Sequence, residues 1–134
     1  MPTLPLEFLR AGAQDGFRFR LDGEEEIDGT PTVRLSYDER QRPTIIRSSR
    51  GRDVPAAGRF WIDPRDGSIR QTLLRATIDL IAVQVVVTYC PCQWDVLVPC
   101  TMSETIRFST EELRATATYS NFRRFQVLVE SKLN

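Results

Sequence analysis

Apolar and polar residues alternate along most of the chain, and this period of two most limits the possible folds. Phe17, Phe19 and Leu21 alternate with Arg18 and Arg20. Successive side chains of a β-strand point to opposite faces of a sheet, so the alternation predicts half-buried strands. The same pattern covers residues 33–38, 43–47, 59–63, 68–78, 80–89, 96–100, 102–109, 113–119 and 125–130.

Turn-forming residues separate these segments at short intervals. Regular spacing of strands and turns is typical of an antiparallel meander. The sequence therefore predicts an all-β fold with minor α content, in which a single domain spans residues 1–134 and the meander curls into a half-barrel or barrel. The predicted turns are Asp28-Gly29-Thr30-Pro31, Ser49-Arg50-Gly51, Asp63 to Gly67, Pro91 to Asp95, and Ser120-Asn121.

Helical patterning is confined to two short segments. In LPLEFLRAG, residues 4–12, Leu4, Phe8 and Leu9 would share one helix face, and Gly12 would end the helix. In STEELRA, residues 109–115, Ser109 or Thr110 would cap one more helical turn. One or two short helices are therefore expected.

The segment GRFWIDPRDGSIRQT, residues 58–72, predicts a hairpin whose polar residues form the turn. Pro64 presets φ at the first turn position, and Asp63 can accept a backbone N–H two residues further on. Gly67 supplies the positive φ that closes a longer hairpin loop. We predict that Asp63 and Asp66 are turn residues and not a catalytic carboxylate pair.

The composition narrows the classes of function. The chain has a formal net charge of +0 and no histidine, and all but one of its 18 basic residues are arginines. The absence of histidine removes the usual general base and the commonest metal ligand. Net neutrality disfavours nucleic acid as a partner. The sequence predicts a non-enzymatic protein without catalytic residues, metal site or cofactor; carboxylate-only or cysteine-only chemistry is the enzymatic alternative.

The three cysteines leave several arrangements open. In an oxidising compartment, Cys100 could pair with Cys90 or with Cys92, and the odd count leaves at least one thiol unpaired. Free cysteines near a loop are the alternative. A zinc site would need Asp95 or a second chain as a further ligand.

Membrane-directed segments are not evident in the pattern. The most apolar stretch, residues 78–89, is interrupted by Asp79 and Gln84 and is shorter than the roughly 18 apolar residues of a membrane span. The start, MPTLPLEFLRAG, lacks the basic and apolar blocks of a signal peptide. A secreted form is therefore expected to be a mature or trimmed piece.

The predicted meander has one apolar face, and two short helices cannot cover it. Cover must come from closure of the sheet, from sandwich packing, or from a ligand or another chain. We therefore predict an apolar ligand groove on the concave face; plain core packing is the alternative for its aromatic residues. The predicted lining residues are Trp61, Leu73, Val83, Val85, Phe108 and Val127.

Several segments together resemble a known group of bacterial proteins: FRFRLDGEEEIDGTPTVRLSYDE, RPTIIRSSRGRDVPAAGRFWIDPRDGSIRQT, LVPCTMSETIRF and ATYSNFRRFQV. They resemble the C-terminal half of uncharacterised exported proteins typical of Acidobacteria. More distantly, the Trp-Ile-Asp-Pro hairpin resembles those of the outer-membrane lipoprotein-sorting superfamily, whose members are curved half-barrels that carry acyl chains.

These resemblances imply an exported domain, periplasmic or secreted, that is part of a longer protein. Its expected partner is a lipid-like ligand or a partner segment on the apolar face. The alternative function is protein–protein assembly or homodimerisation without a small ligand.

Overall fold

The computed structural model describes residues 4–91, 97–120 and 124–133, with side chains for residues 4–91 and 97–118. A short helix α1, Leu4–Glu7, and a 3-10 turn, Gln14–Gly16, precede the strands. The strands are β1 Phe17–Ile27, β2 Thr30–Glu39, β3 Ile46–Arg47, β4 Asp53–Val54, β5 Ala57–Ile62, β6 Ile69–Ile78, β7 Ile81–Pro91, β8 Leu97–Phe108, β9 Glu111–Ser120 and β10 Arg124–Leu133.

Eight strands form one antiparallel sheet in the order β1-β2-β5-β6-β7-β8-β9-β10. Each strand of the sheet therefore lies beside the strand that precedes or follows it along the chain, apart from a separate β3–β4 ribbon inserted between β2 and β5. The predicted antiparallel meander with little helix is confirmed. Over the described residues the sheet is open, with β1 and β10 at its edges, and the closed-barrel alternative is not found.

The prediction of a helical turn in STEELRA is wrong. Ser109 has a φ of 50° and forms a two-residue turn with Thr110. Phe108 then faces Glu111 across the hairpin, and the following residues continue as β9. The residues that cap helices also favour tight turns, so this short signal fitted both structures.

Two other boundaries differ from the predicted segments. Asp79 and Leu80 form the two-residue turn between β6 and β7, with φ values of 48° and 70°. Predicted segments 96–100 and 102–109 form the single strand β8, and the segment 43–47 contributes only Ile46 and Arg47 to a strand. The predicted turns at residues 91–95 and 120–121 lie largely outside the described residues.

The core lies on one face of the first half of the sheet. Phe8, in the turn after α1, is fully buried against Phe17 and Tyr37, with ring centroids 4.7 and 5.5 Å away. Phe60 and Leu74 continue this cluster across β5 and β6. The N-terminal segment, although barely helical, therefore supplies the cover over β1 to β6.

Close packing at Gly58 lets Tyr37 reach across the sheet. The Tyr37 hydroxyl donates a 2.9 Å hydrogen bond to the Leu73 carbonyl, and a Cβ at Gly58 would overlap both partners. Burial is the main cause that raises the pKa of Tyr37 above its ordinary value. Only glycine leaves room for this contact.

Strand alternation and register define two faces of the sheet. We call the side that carries Phe60 the apolar face and the side that carries Arg59 the polar face. Across the strands, Phe60 pairs with Thr72, Thr72 with Val87, and Val87 with Met102, so these residues lie on the apolar face.

The second half of the sheet is a single layer over the described residues. Helix α1 and strand β4 both pack against β6, whereas β8 and β9 make their principal contacts with adjacent strands. Among the described residues, β8 and β9 have no helix as a principal contact, and the apolar face continues onto them from β7, where Val87 is fully buried and Val85 packs against the core cluster.

Candidate functional site

The six predicted lining residues do not share one face. Val83 and Val85 lie on the apolar face, because they pair with Ala76 and Leu74. Trp61 and Leu73 alternate with Phe60, Thr72 and Leu74 and therefore lie on the polar face, where they are 5% and 9% exposed. Their placement in a single groove is corrected: Trp61 and Leu73 belong to the opposite side of the sheet.

The two remaining lining residues lie towards the other end of the meander. Phe108 ends β8 on the apolar face and is half-buried. The register places Val127 opposite Ala117, but its side chain lies outside the described residues. Binding of a ligand by any of the six residues stays a prediction.

The uncovered part of the apolar face is half-buried rather than sealed. Val83, Val85 and Ile106 each retain partial exposure, and Ala117 is buried between neighbouring strands. Glu104 lies between Val85 and Ala115 on this face. Within the described part of the chain its carboxylate has no hydrogen bond or ion pair. Among the described residues, this apolar face therefore carries two unpaired carboxylates, Glu104 within it and Glu111 at its end beside Phe108.

The polar face carries a continuous transverse row of residues. Seven strands contribute one residue each, and each residue is the register partner of the next. Five of these seven are charged or amide residues, with arginines on β1, β6 and β9, and the register continues from Arg114 to Glu130 on β10. The row is Arg18, Asp38, Ala57, Arg75, Gln84, Thr105 and Arg114.

Two cavities adjoin along this row and share Arg75. One, of about 720 Å³, lies over β5 to β9 and includes Gln84, Thr105 and Arg114. The other, of about 370 Å³, lies over β1 to β6 and includes Arg18 and Asp38. Both volumes fall in the range of small-molecule sites. Arg75 is exposed and is therefore accessible from both cavities.

A buried carboxylate holds two arginines of the larger cavity. Glu112 is 4% exposed and contacts Arg107 at 2.8 Å and Arg114 at 3.1 Å. Its hydrogen bond from Arg107 is the main cause that lowers the pKa of Glu112. Because each guanidinium has five N–H donors, both arginines keep donors for a further acceptor.

The Asp63 turn is structural, as predicted. The Asp63 side chain accepts hydrogen bonds from the backbone N–H of Arg65 at 2.9 Å and from its guanidinium at 2.9 and 3.1 Å. Asp66 accepts from the Ser68 N–H at 2.9 Å, and Gly67 has a φ of 74°. Both carboxylates therefore accept hydrogen bonds from residues within the turn.

One of the two open disulfide pairings is present. Cys90 on β7 is bonded to Cys100 on β8, with the Cα atoms 5.6 Å apart. The bond closes the β7–β8 hairpin beside the register shift between Thr88 and Tyr89. The pairing of Cys100 with Cys92 is therefore excluded, and Cys92 lies outside the described residues.

The described residues lack two further features. Among them, no three or more His, Cys, Asp or Glu side chains are grouped so that they could hold a metal ion. None of their helices is long and apolar enough to cross a membrane.

Sequence reasoning missed the polar row. The signal was present, since Arg18, Arg75 and Arg114 occupy the polar positions of the same alternation that identified the strands. Which polar residues share a row depends on register, which the alternation alone does not fix.

Comparisons with known protein families, with curated proteins and with solved structures gave no match. The resemblance to exported bacterial proteins therefore stays a prediction from sequence segments.

Proposed function

We propose that this chain is a non-enzymatic binding domain that holds a lipid-like ligand against the apolar face of β7 to β9. The observation that carries the proposal is the single-layer half of the sheet. There the core face continues past Val85, which still packs against the core cluster, to Val83 and Ile106, which stay half-buried and have no helix or further strand as a principal contact among the described residues. Burying such a side chain contributes roughly 1.5–3 kcal/mol, so an apolar occupant would bind favourably.

Glu104 places a second requirement on the ligand. A carboxylate on an apolar surface favours a molecule that combines an acyl or other apolar part with a hydrogen-bond donor. An amphiphile meets both requirements, with its chain along Val83 and Val85 and its donor at Glu104. This is the reason for proposing a lipid-like molecule rather than a plain hydrocarbon.

The proposed setting is an exported protein, periplasmic or secreted. The Cys90–Cys100 bond supports it, because structural disulfides persist mainly in oxidising compartments. The resemblance to exported bacterial proteins points the same way.

Self-association is the second candidate, and the charge of the β1 edge favours contact through the apolar face. β1 carries Glu24, Glu25 and Glu26 beside a register shift, which discourages pairing with another strand there. A second copy could instead place its own apolar face on Val83 and Val85.

A pair of neighbouring substitutions tests the proposal. Val83→Asp places a charge on the apolar face, whereas Ala82→Asp places the same charge on the polar face. Titration with a neutral apolar fluorescent probe should give saturable binding that Val83→Asp weakens by about tenfold or more and Ala82→Asp leaves nearly unchanged.

Light scattering and mass spectrometry of an organic extract separate the two candidates. A monomer that copurifies with an amphiphile supports the ligand function, and a ligand-free dimer that Val83→Asp dissociates supports self-association. A ligand-free monomer that does not bind the probe would contradict both.

A further inference from the structure

The cavities of the polar face carry a net positive charge, although the net charge of the whole chain is zero. The two adjoining cavities are lined by seven arginines and three carboxylates, a surplus of four positive charges. The seven arginines are Arg18, Arg20, Arg40, Arg59, Arg75, Arg107 and Arg114.

The three carboxylates are already engaged. Asp22 contacts Arg59 at 2.9 Å, and Asp38 is also paired, with Arg40. Glu112 binds Arg107 and also Arg114, the last of the seven row residues. The three carboxylates of the cavities thus form ion pairs with four of the seven arginines, which are Arg40, Arg59, Arg107 and Arg114.

Three arginines keep their full set of donors. Arg18, Arg20 and Arg75 are exposed, and within the described ranges their guanidinium groups have no hydrogen bond or ion pair. All three line the cavity of about 370 Å³. A volume of this size accommodates a small molecule.

The register brings these free donors towards one another. In the transverse row, Arg18 and Arg75 are three strand spacings apart, roughly 14 Å, and the Arg20 row is adjacent. Arg59 lies on the diagonal beside Arg75, because it pairs with Leu73 while Arg75 pairs with Ala57. Long arginine side chains can converge across such a distance on one bound group.

We propose that the polar face binds a small molecule with two or more oxyanion groups, such as phosphates, with Arg75 as the central contact. Planar guanidinium groups bind phosphate and carboxylate oxygens in pairs, which suits a multivalent oxyanion better than a single charge. The cavity of about 370 Å³ that holds the three free arginines shares no lining residue with the proposed lipid surface and does not depend on it.

The polar row also disfavours other kinds of ligand. Gln84 and Thr105 offer neutral hydrogen-bond groups beyond Arg75, so the larger cavity can accept the uncharged part of the molecule. A cation would meet the surplus of positive charge, and an apolar molecule would strip water from the guanidinium groups without replacing their acceptors.

Calorimetric titration with inorganic pyrophosphate at low ionic strength tests this site. Saturable binding is expected, and Arg75→Gln should weaken it by about tenfold. Arg50→Gln is the matched control, because it removes the same charge from the exposed loop after β3. The control should change the dissociation constant by less than about twofold. Since all these side chains are exposed, circular dichroism should show the fold unchanged in both variants.

A second arm separates a free anion from a lipid headgroup. Cosedimentation is measured with vesicles of a zwitterionic phospholipid, alone or mixed with an anionic one. Binding to anionic vesicles that Arg75→Gln abolishes identifies a headgroup as the source, and pyrophosphate binding without vesicle binding identifies a free anion. The proposal is overturned if neither probe binds, or if Arg50→Gln weakens binding as much as Arg75→Gln.

Discussion

At the residue scale, Leu80 stands in a conformation that its side chain does not favour. It has a φ of 70° in a two-residue turn and is 93% exposed, so it gains nothing from burial. The β1–β2 hairpin has the same pattern of positive φ at Asp28 and Gly29, where glycine meets the requirement without strain.

These two turns provide a reciprocal experiment. Leu80→Gly should raise the free energy of unfolding by about 0.5–1 kcal/mol, because the strain of a left-handed leucine exceeds the entropy cost of glycine. Gly29→Leu should lower it by about 1 kcal/mol, although no atom lies within 4 Å of the added Cβ. Urea denaturation measures both, and a loss of stability in Leu80→Gly would contradict the strain argument.

The side-chain hydrogen bond from Arg65 is the main cause that lowers the pKa of Asp63, to about 2. A carboxyl whose folded pKa is depressed stabilises the protein above its unfolded pKa, near 3.9, and loses this contribution as pH falls through the folded value. The free energy of unfolding should therefore decrease between about pH 4 and pH 2.

Variants in this turn isolate that contribution. Asp63→Asn should be less stable than the wild type at neutral pH and should show a flatter decrease between about pH 4 and pH 2. Arg65→Gln keeps the carboxylate but removes its main partner, so its acid transition should begin at higher pH. Thermal melts across this range measure both effects, and an Asp63→Asn curve parallel to the wild type would refute the assignment.

At the element scale, the β7–β8 hairpin is fixed both by its ladder and by the Cys90–Cys100 bond. The bonded residues are 10 apart in sequence, and a closed loop of that length is expected to contribute about 2.5 kcal/mol through the unfolded state. Replacing both cysteines with serine should lower the free energy of unfolding by that order.

Cys92→Ser is the control for this prediction. It should retain the disulfide and leave no free thiol, as measured by thiol titration of the unfolded, non-reduced protein. If Cys92→Ser instead abolished the bond, the pairing in solution would be the alternative that the cysteine spacing left open.

The elements also show what the sequence can and cannot predict. Alternation around Phe17 and Val33 identified strands because a half-buried sheet imposes a period of two. The Asp79-Leu80 turn was missed because leucine is not a residue that tight turns favour, and the sheet overrode its preference.

Register explains the remaining differences at the candidate site. Trp61 and Leu73 were grouped with Val83 because all are large and apolar, but strand pairing places them on opposite faces. Arg18 and Arg75 are far apart in the chain, and only the pairing across β2 and β5 brings them into one row. A local pattern does not carry that long-range information.

At the scale of the whole molecule, the described residues divide the sheet into two halves. One half has its apolar face packed against the N-terminal segment and β4; the other, β7 to β9, has strand pairing and the Cys90–Cys100 bond as its principal contacts. Phe8 and the β3–β4 ribbon pack against the first half. A ligand or a second copy on β7 to β9 would give the second half a packing layer that the described residues do not supply.

The single-layer half has a consequence for the time course of amide hydrogen exchange. Local opening is least costly where few buried apolar contacts must be broken. Amides of β8 and β9 should exchange earlier than those of β2 and β5, although their backbone ladders are of similar regularity. Mass spectrometry of peptides should show this order in the free protein, and a bound apolar ligand should slow exchange in β7 to β9. Equal protection across all strands would mean that the sheet opens as one cooperative unit.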